Sequence, residues 1–199
     1  MVKKIYVIIE VLLIFFLPVL VYRLGWLPIG TRLYALEIFA ATVVVLTITY
    51  HIKLQAIGFR LDTFLPAIKL LLPGTLTMMA VLFLFYKFNL ISDYFINDWW
   101  KNSFFIYYFF IGAPSQEFGY RGYLLHRLQS ITSRRWALII LNAVLFAWLH
   151  ILFQDPYVLI GTFIFGLYLT WVYLKQPNIY ASSIAHGLVG ATGIILGFF

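Results

Sequence analysis

The sequence lacks cysteine altogether, so neither a disulfide bond nor a thiolate nucleophile can belong to this chain. Charged residues are also scarce, at 11% of 199 residues, whereas soluble domains carry about 25%. The 14 Lys and Arg outnumber the 7 Asp and Glu, but they are scattered through short loops between apolar runs. That distribution indicates contact with anionic lipid and argues against nucleic-acid binding. Internal repeats, low-complexity tracts and linkers are lacking as well.

Apolar segments long enough to span a membrane make up most of the sequence. Hydrophobic residues make up 63% of the chain and aromatic residues 20%, with many Tyr and Trp near segment ends, as at membrane interfaces. A span needs about 20 apolar residues. Segments of this kind predict helices at about 5–22, 33–50, 64–86, 103–125, 136–153, 156–174 and 181–199. The prediction is an all-α fold, a polytopic transmembrane helical bundle of about seven spans.

The residues that flank these segments predict whether the first segment is retained and how the chain is oriented in the membrane. No small-residue cleavage site follows the first segment, so we expect it to stay in the protein. Eight Lys and Arg fall on one side of the predicted spans and four on the other. The positive-inside rule then places the N-terminus in the cytoplasm and the C-terminus outside. The loop 87–102, with Asp93 and Asp98, is expected to be a solvated connection in a multi-pass cell-membrane protein, most simply of a prokaryotic inner membrane.

Three polar clusters interrupt the apolar segments: Gln116–Arg121, Phe146–His150 and Ser182–His186. An ionisable side chain at bilayer depth costs about 2.5–3.5 kcal/mol on insertion scales. Such side chains either satisfy one another or perform a function. We therefore predict a polar cavity inside the membrane that contains residues of all three clusters.

The first cluster follows an expected break in the fourth span. Pro114 disfavours helical geometry in the residue before it, and Ser115 can cap a restarted helix. Glu117 and Arg121 are four residues apart, so they share a helix face and can pair. Gln116 is rotated by about 100° from Glu117 and points elsewhere.

Helix rise gives the depth of each candidate residue. Counted from the cytoplasmic helix ends at 1.5 Å per residue, Glu117 lies at about 14 Å, His150 at about 21 Å and His186 at about 8 Å. The three meet only if residues 175–183 dip into the membrane or the start of the fifth span protrudes into water. We expect them within one side-chain reach, because isolated charges in hydrocarbon are costly.

These motifs resemble the CPBP family of intramembrane proteases, named for CAAX protease and bacteriocin processing and also called Abi proteins. The family pattern is Glu-Glu-x-x-x-Arg, then Phe-x-x-x-His, then His-x-x-x-Asn or Asp. Six residues of this chain carry the resemblance: Gln116, Glu117, Arg121, Phe146, His150 and His186. The resemblance covers residues 100–199. Residues 1–99 are expected to be supporting helices of the same single domain, 1–199.

The resemblance implies an endopeptidase that hydrolyses membrane-associated peptides with water activated by glutamate and histidine. The implied site residues are catalytic Glu117, His150 and His186, with supporting Gln116, Arg121 and Phe146. The chain departs from the pattern at Gln116, whose amide cannot accept a proton at neutral pH, and at Gly190, which offers no side-chain donor. Either Glu117 and His150 perform the base chemistry, or hydrolysis is lost.

The resemblance also implies chemistry without a cofactor. Glutamate and histidine are common zinc ligands, and the three candidates could in principle hold a catalytic zinc. We nevertheless expect no metal, because Gln116 removes one carboxylate. The expected partners are the lipid bilayer and a membrane-embedded or membrane-apposed peptide, and no nucleic acid.

Other functions are compatible with the same residues. A catalytically impaired relative could bind peptides in the membrane, for example as a bacteriocin self-immunity protein. A small transporter is a third class, although no inverted repeat supports it. Structural interpretations also apply: a buried ion pair for Glu117 with Arg121, an interfacial histidine for His150, and helix packing for His186.

Two further sets of residues are expected to be structural. Glu10, Glu37 and Lys69 lie at span depth and are expected to pair with other polar side chains. The aromatic run over 104–110 is expected to face lipid or pack against neighbouring helices.

Overall fold

The computed structural model describes residues 2–88, 90 and 104–198. Asp93 and Asp98 of the predicted loop lie outside this part of the chain. The described residues contain these long helices: α1 Lys4–Arg23, α2 Ile29–Thr49, α3 Phe64–Lys87, α4 residues 104–129, α5 Arg135–Phe153, α6 Pro156–Tyr173 and α7 Ile179–Leu196. A short 3₁₀ turn, Leu54–Ile57, lies between α2 and α3.

The helices confirm the predicted fold class. Among the described residues, six helices are long and apolar enough to cross a membrane, namely α1, α2, α3, α5, α6 and α7. They coincide with six of the seven predicted segments, and the seventh is α4, which carries the first polar cluster. The protein is therefore an all-α, multi-pass membrane protein.

Local sequence sets where α6 and α7 begin. The Asp155 carboxylate accepts hydrogen bonds from the backbone N–H groups of Tyr157 and Val158, at 2.7 and 3.0 Å, just before Pro156 opens α6. The side-chain oxygen of Asn178 accepts from the N–H of Ala181 at 2.8 Å at the start of α7. Both are N-caps that satisfy otherwise unpaired donors of the first turn.

The first polar cluster lies on a continuous α4, so the predicted break before Pro114 is wrong. Gly112 keeps helical dihedral angles of φ −63° and ψ −54°, and the chain passes through Pro114 without interruption. Two stretches of α4 are π-helical, Tyr108–Gly112 and Phe118–Leu124. A wider turn before the proline relieves the clash of its ring with the preceding turn. Such π turns are frequent at functional sites.

The last helix, α7, forms the centre of the bundle. In its span window 61% of the residues are buried, against 6% in α2, whose outer face carries exposed apolar side chains. α7 packs against α3 and α4, while α5 packs against α6. The division into supporting helices over 1–99 and a core over 100–199 remains a prediction.

The depth of α7 is set by the segment before it. Asn178 is 0% exposed and donates from Nδ2 to Thr63 Oγ1 at 3.1 Å, and the N–H of Ile179 donates to the carbonyl of Gly58 at 2.9 Å. Ile179 also contacts Gly122 of α4, about 10 Å inside the end of that helix at 1.5 Å per residue. The start of α7 therefore lies beside the middle of α4, and His186 comes level with Glu117 of the first cluster.

Polar residues of α1 and α2 pair as predicted. Glu10 Oε1 accepts hydrogen bonds from Arg127 Nε and from the hydroxyl of Tyr123, both at 2.8 Å, which ties α1 to α4. Glu37 accepts from the hydroxyl of Tyr107 at 3.2 Å. These carboxylates are accounted for by structure and leave the three motif clusters as the candidate site.

Replacing Asn142 with Leu is expected to destabilise the bundle. Asn142 is 0% exposed, donates to the carbonyl of Tyr120 at 2.6 Å and accepts from Thr170 Oγ1 at 2.9 Å, so it joins α4, α5 and α6. Interhelical hydrogen bonds in membrane proteins contribute about 0.6–1.7 kcal/mol each. We expect the free energy of unfolding in detergent micelles to fall by about 1–2 kcal/mol. Thr170→Val, which removes one of the two bonds, should cost about half; equal stability of all three proteins would contradict this role.

Candidate active site

The three motifs converge on the ring of Phe146, which is buried in α5. The Arg121 guanidinium lies 4.1 Å from the ring centroid. The rings of His150 and His186 lie 4.8 and 5.2 Å from it, centroid to centroid. Phe146 therefore holds one member of every cluster within a single layer of side chains. Side chains of the three clusters therefore meet as predicted, but the cavity beside them is mainly apolar and no residue of Ser182–His186 lines it.

Glu117 forms the charged centre of this layer. Its Oε1 accepts hydrogen bonds from Arg121 Nη1 at 2.8 Å and from His186 Nδ1 at 2.9 Å. Glu117 and Arg121 are both 0% exposed, and they form an ion pair one helical turn apart. A buried charge pair of this kind is stable only while both partners are present, because either charge alone is uncompensated.

The hydrogen bonds of His186 define its protonation. Nδ1 faces a carboxylate, which only accepts, so Nδ1 carries a proton. Nε2 lies 2.9 Å from the hydroxyl of Tyr108. The charges of Glu117 and Arg121 already balance, so a further positive charge on His186 would be uncompensated in this buried layer. A neutral imidazole with its proton on Nδ1 accepts a hydrogen bond from the Tyr108 hydroxyl at Nε2.

A cavity of about 500 Å³ adjoins this layer, between α1, α2, α4 and α5. Most of its lining is apolar, and Gln116, His150, Tyr108 and Arg32 are among the polar residues that line it. Glu117 does not line it, as expected from the 100° rotation between neighbouring helical residues. A volume of this size is typical of a ligand site. Of the first cluster, Gln116 and Tyr120 line the cavity.

His150 lies inside the bundle and belongs to the cavity wall. It is 5% exposed, and its Nδ1 lies 2.9 Å from the carbonyl oxygen of Phe146. Because a carbonyl only accepts, Nδ1 carries the proton, and Nε2 bears the lone pair of the neutral ring. A histidine in this tautomer can take a proton at Nε2. Its burial favours a role in the site over that of an interfacial histidine.

Tyr108 is a site residue that sequence reasoning missed. The aromatic run over 104–110 was expected to face lipid or pack, and Ile106 and Phe110 are indeed exposed. Tyr108 instead contacts His186 and lines the cavity. Its ring lies against Gly190 of α7, the position at which the resembled pattern carries asparagine. In the sequence, only Gly190 marks the departure from the pattern. A glycine does not indicate that Tyr108 packs against it.

The geometry gives no support for a resident metal in the described part of the chain. There, no group of three or more His, Asp or Glu side chains is arranged to hold a metal ion. The Glu117 oxygen nearest His186 is already engaged by Arg121. The expectation of metal-free chemistry remains a prediction.

Comparison with known proteins identifies the family of this site. Residues 98–192 match the family model described as type II CAAX prenyl endopeptidase Rce1-like. No curated protein and no solved structure matches the chain. The matched region contains α4 to α6 and most of α7, with every candidate site residue. Residues 98–192 are therefore similar to the CPBP, or CAAX protease, family that the motifs predicted.

Proposed function

We propose that this protein is an intramembrane endopeptidase that cleaves an apolar, membrane-embedded peptide bound in the cavity. One observation carries the proposal. Gln116 and His150 line a cavity of about 500 Å³ whose walls are mainly apolar, and Glu117, Arg121 and His186 form a hydrogen-bonded network beside it. An apolar wall with a few convergent polar groups is the usual form of a ligand site. A site among membrane-spanning helices suits a peptide that enters from the bilayer.

His150 is the general base of this proposal. A water molecule between His150 and the scissile carbonyl gives a proton to Nε2 and attacks the carbonyl carbon, which forms the new C–O bond and an oxyanion. The imidazolium then returns the proton to the leaving nitrogen as the C–N bond breaks. Gln116 orients the peptide or the water through its amide. Atoms and charge balance without a metal or other cofactor.

Glu117 acts through His186 in this scheme. Its carboxylate fixes the tautomer of His186 and balances Arg121, while its side chain stays outside the cavity. The catalytic assignment of Glu117 made from the motif remains a prediction, and the geometry supports a positioning role. His186 in turn orients the Tyr108 hydroxyl at the cavity wall.

The test is cleavage of dye-labelled apolar peptides of about 20 residues by the purified protein in liposomes. His150→Asn should reduce cleavage at least tenfold, because it removes the cavity-facing base. His51→Asn is the matched control, since His51 is exposed between α2 and α3 and far along the chain from the motifs. Equal activity of the His150 and His51 variants would exclude His150 as the base.

A second function is favoured by one specific feature of the cavity. Among the described residues, no carboxylate lines it. A cavity with an amide in place of a carboxylate suits binding without hydrolysis, as a peptide-toxin immunity protein would require. Saturable binding of the same peptides without any cleavage, together with protection of cells against a peptide toxin, would favour this alternative.

A further inference from the structure

Tyr108 occupies an unusual position between the buried network and the cavity. Its hydroxyl lies 2.9 Å from His186 Nε2, and its side chain is part of the cavity wall. The ring lies edge-to-face against that of His186, with centroids 6.0 Å apart. The hydroxyl is therefore fixed at the point where the network meets the space available to a ligand.

The backbone makes room for this ring at Gly190. A Cβ at position 190 would lie 2.2 Å from Tyr108 Cε1 and 2.5 Å from its hydroxyl oxygen. A Cβ at Gly112, one turn further along α4, would lie 3.2 Å from Cδ2 on the other edge of the ring. Distances below 3.0 Å are not compatible with a real Cβ, so any other residue at 190 displaces Tyr108. Gly190 and Tyr108 are thus a coupled pair.

We propose that the Tyr108 hydroxyl is the donor that binds the carbonyl oxygen of a peptide in the cavity and stabilises the oxyanion formed during its hydrolysis. The inference rests on the proposed function, and it names the donor that the chain uses where Gly190 offers none. The space that a side chain at 190 would fill is taken by the hydroxyl-bearing edge of the tyrosine ring.

The chemistry of this donor follows from its two acceptors. With the proton of His186 on Nδ1, the Tyr108 hydroxyl proton points to Nε2 in the free protein. Rotation about the C–O bond redirects it to a peptide oxygen without moving the ring. A hydrogen bond to an oxyanion is roughly twice as strong as one between neutral groups, so the developing charge draws the proton away from the imidazole. The donor acts most strongly in the transition state, which is where it lowers the barrier.

The test compares Tyr108→Phe with Tyr107→Phe. Tyr108→Phe keeps the ring in the space beside Gly190 and removes only the hydroxyl donor. Tyr107→Phe removes a neighbouring hydroxyl that donates to Glu37 outside the cavity. With the dye-labelled apolar peptides, Tyr108→Phe should lower kcat by about 10²–10³-fold with KM changed less than threefold, as for loss of one oxyanion donor. Tyr107→Phe should match the parent. Unchanged kcat in Tyr108→Phe overturns the inference while leaving the proposed hydrolysis intact.

Gly190 provides the second arm of the test. Gly190→Ala should also lower kcat at least tenfold by displacing the ring, and Tyr108→Ala combined with Gly190→Asn should recover part of the activity lost in Tyr108→Ala alone. If the parent binds the peptides without cleaving them, hydrolysis is excluded, and Tyr108→Phe must then weaken peptide affinity at least threefold for the donor role to stand. A parent that neither binds nor cleaves the peptides overturns both proposals.

Discussion

Replacing Gln116 with Glu is expected to raise the rate of peptide hydrolysis by about 10²–10⁴-fold, the range associated with one well-placed general base. Gln116 lines the cavity together with His150, whereas Glu117 lies behind it in the network with Arg121 and His186. A carboxylate at position 116 would face the ligand and accept the proton of the attacking water.

The rate is measured with the dye-labelled apolar peptides in liposomes. Gln154→Glu is the control, since it makes the same charge change at an exposed position between α5 and α6. A slower reaction with an upward shift of the pH optimum in Gln116→Glu would show that Glu117 already serves as the base, because a second carboxylate beside it repels the first. That outcome would restore the catalytic role of Glu117 that the motif implied.

Replacing Glu117 with Gln is expected to lower the free energy of unfolding by about 3–5 kcal/mol and to abolish cleavage. Arg121 is 0% exposed, and its described charge partner is Glu117, so the substitution leaves an uncompensated buried guanidinium. It also removes the charge that fixes the tautomer of His186. Stability is measured by reversible unfolding in detergent micelles, and activity on the same peptides.

A double variant separates these two effects. Glu117→Gln combined with Arg121→Met removes both charges, and replacement of a buried ion pair by uncharged residues of similar volume is often neutral for stability. We expect stability near that of the parent, while cleavage stays absent because His186 remains unanchored. Full cleavage by the stable double variant would show that Glu117 and Arg121 only lock the helix.

These predictions depend on how the motif residues divide between the cavity and the network behind it. Gln116 and Glu117 are adjacent in the sequence, but they face different surroundings because successive helical residues are rotated by about 100°. The sequence predicts that the two diverge, and only the packing of α4 against α1, α2 and α7 decides which one meets a ligand. Gln116 lines the cavity and Glu117 does not. Catalysis by this chain therefore depends chiefly on what the amide at position 116 can do.

Several features were determined by the sequence alone. Apolar run length and loop chemistry predicted the spans, because hydropathy is a local property and each span must satisfy the bilayer by itself. The motif spacing identified the clusters around Glu117, His150 and His186, and the Glu117–Arg121 pair follows from a separation of one helical turn.

The tertiary structure decided the rest. The level of α7 depends on contacts between residues 177–179 and 58–63, which are distant in sequence, so counting residues from a loop does not reveal it. The continuity of α4 through Pro114 depends on π-helical turns that propensity does not predict. Tyr108 enters the site only because Gly190, on another helix, leaves room for its ring. Each of these depends on long-range packing, and local sequence patterns do not encode it.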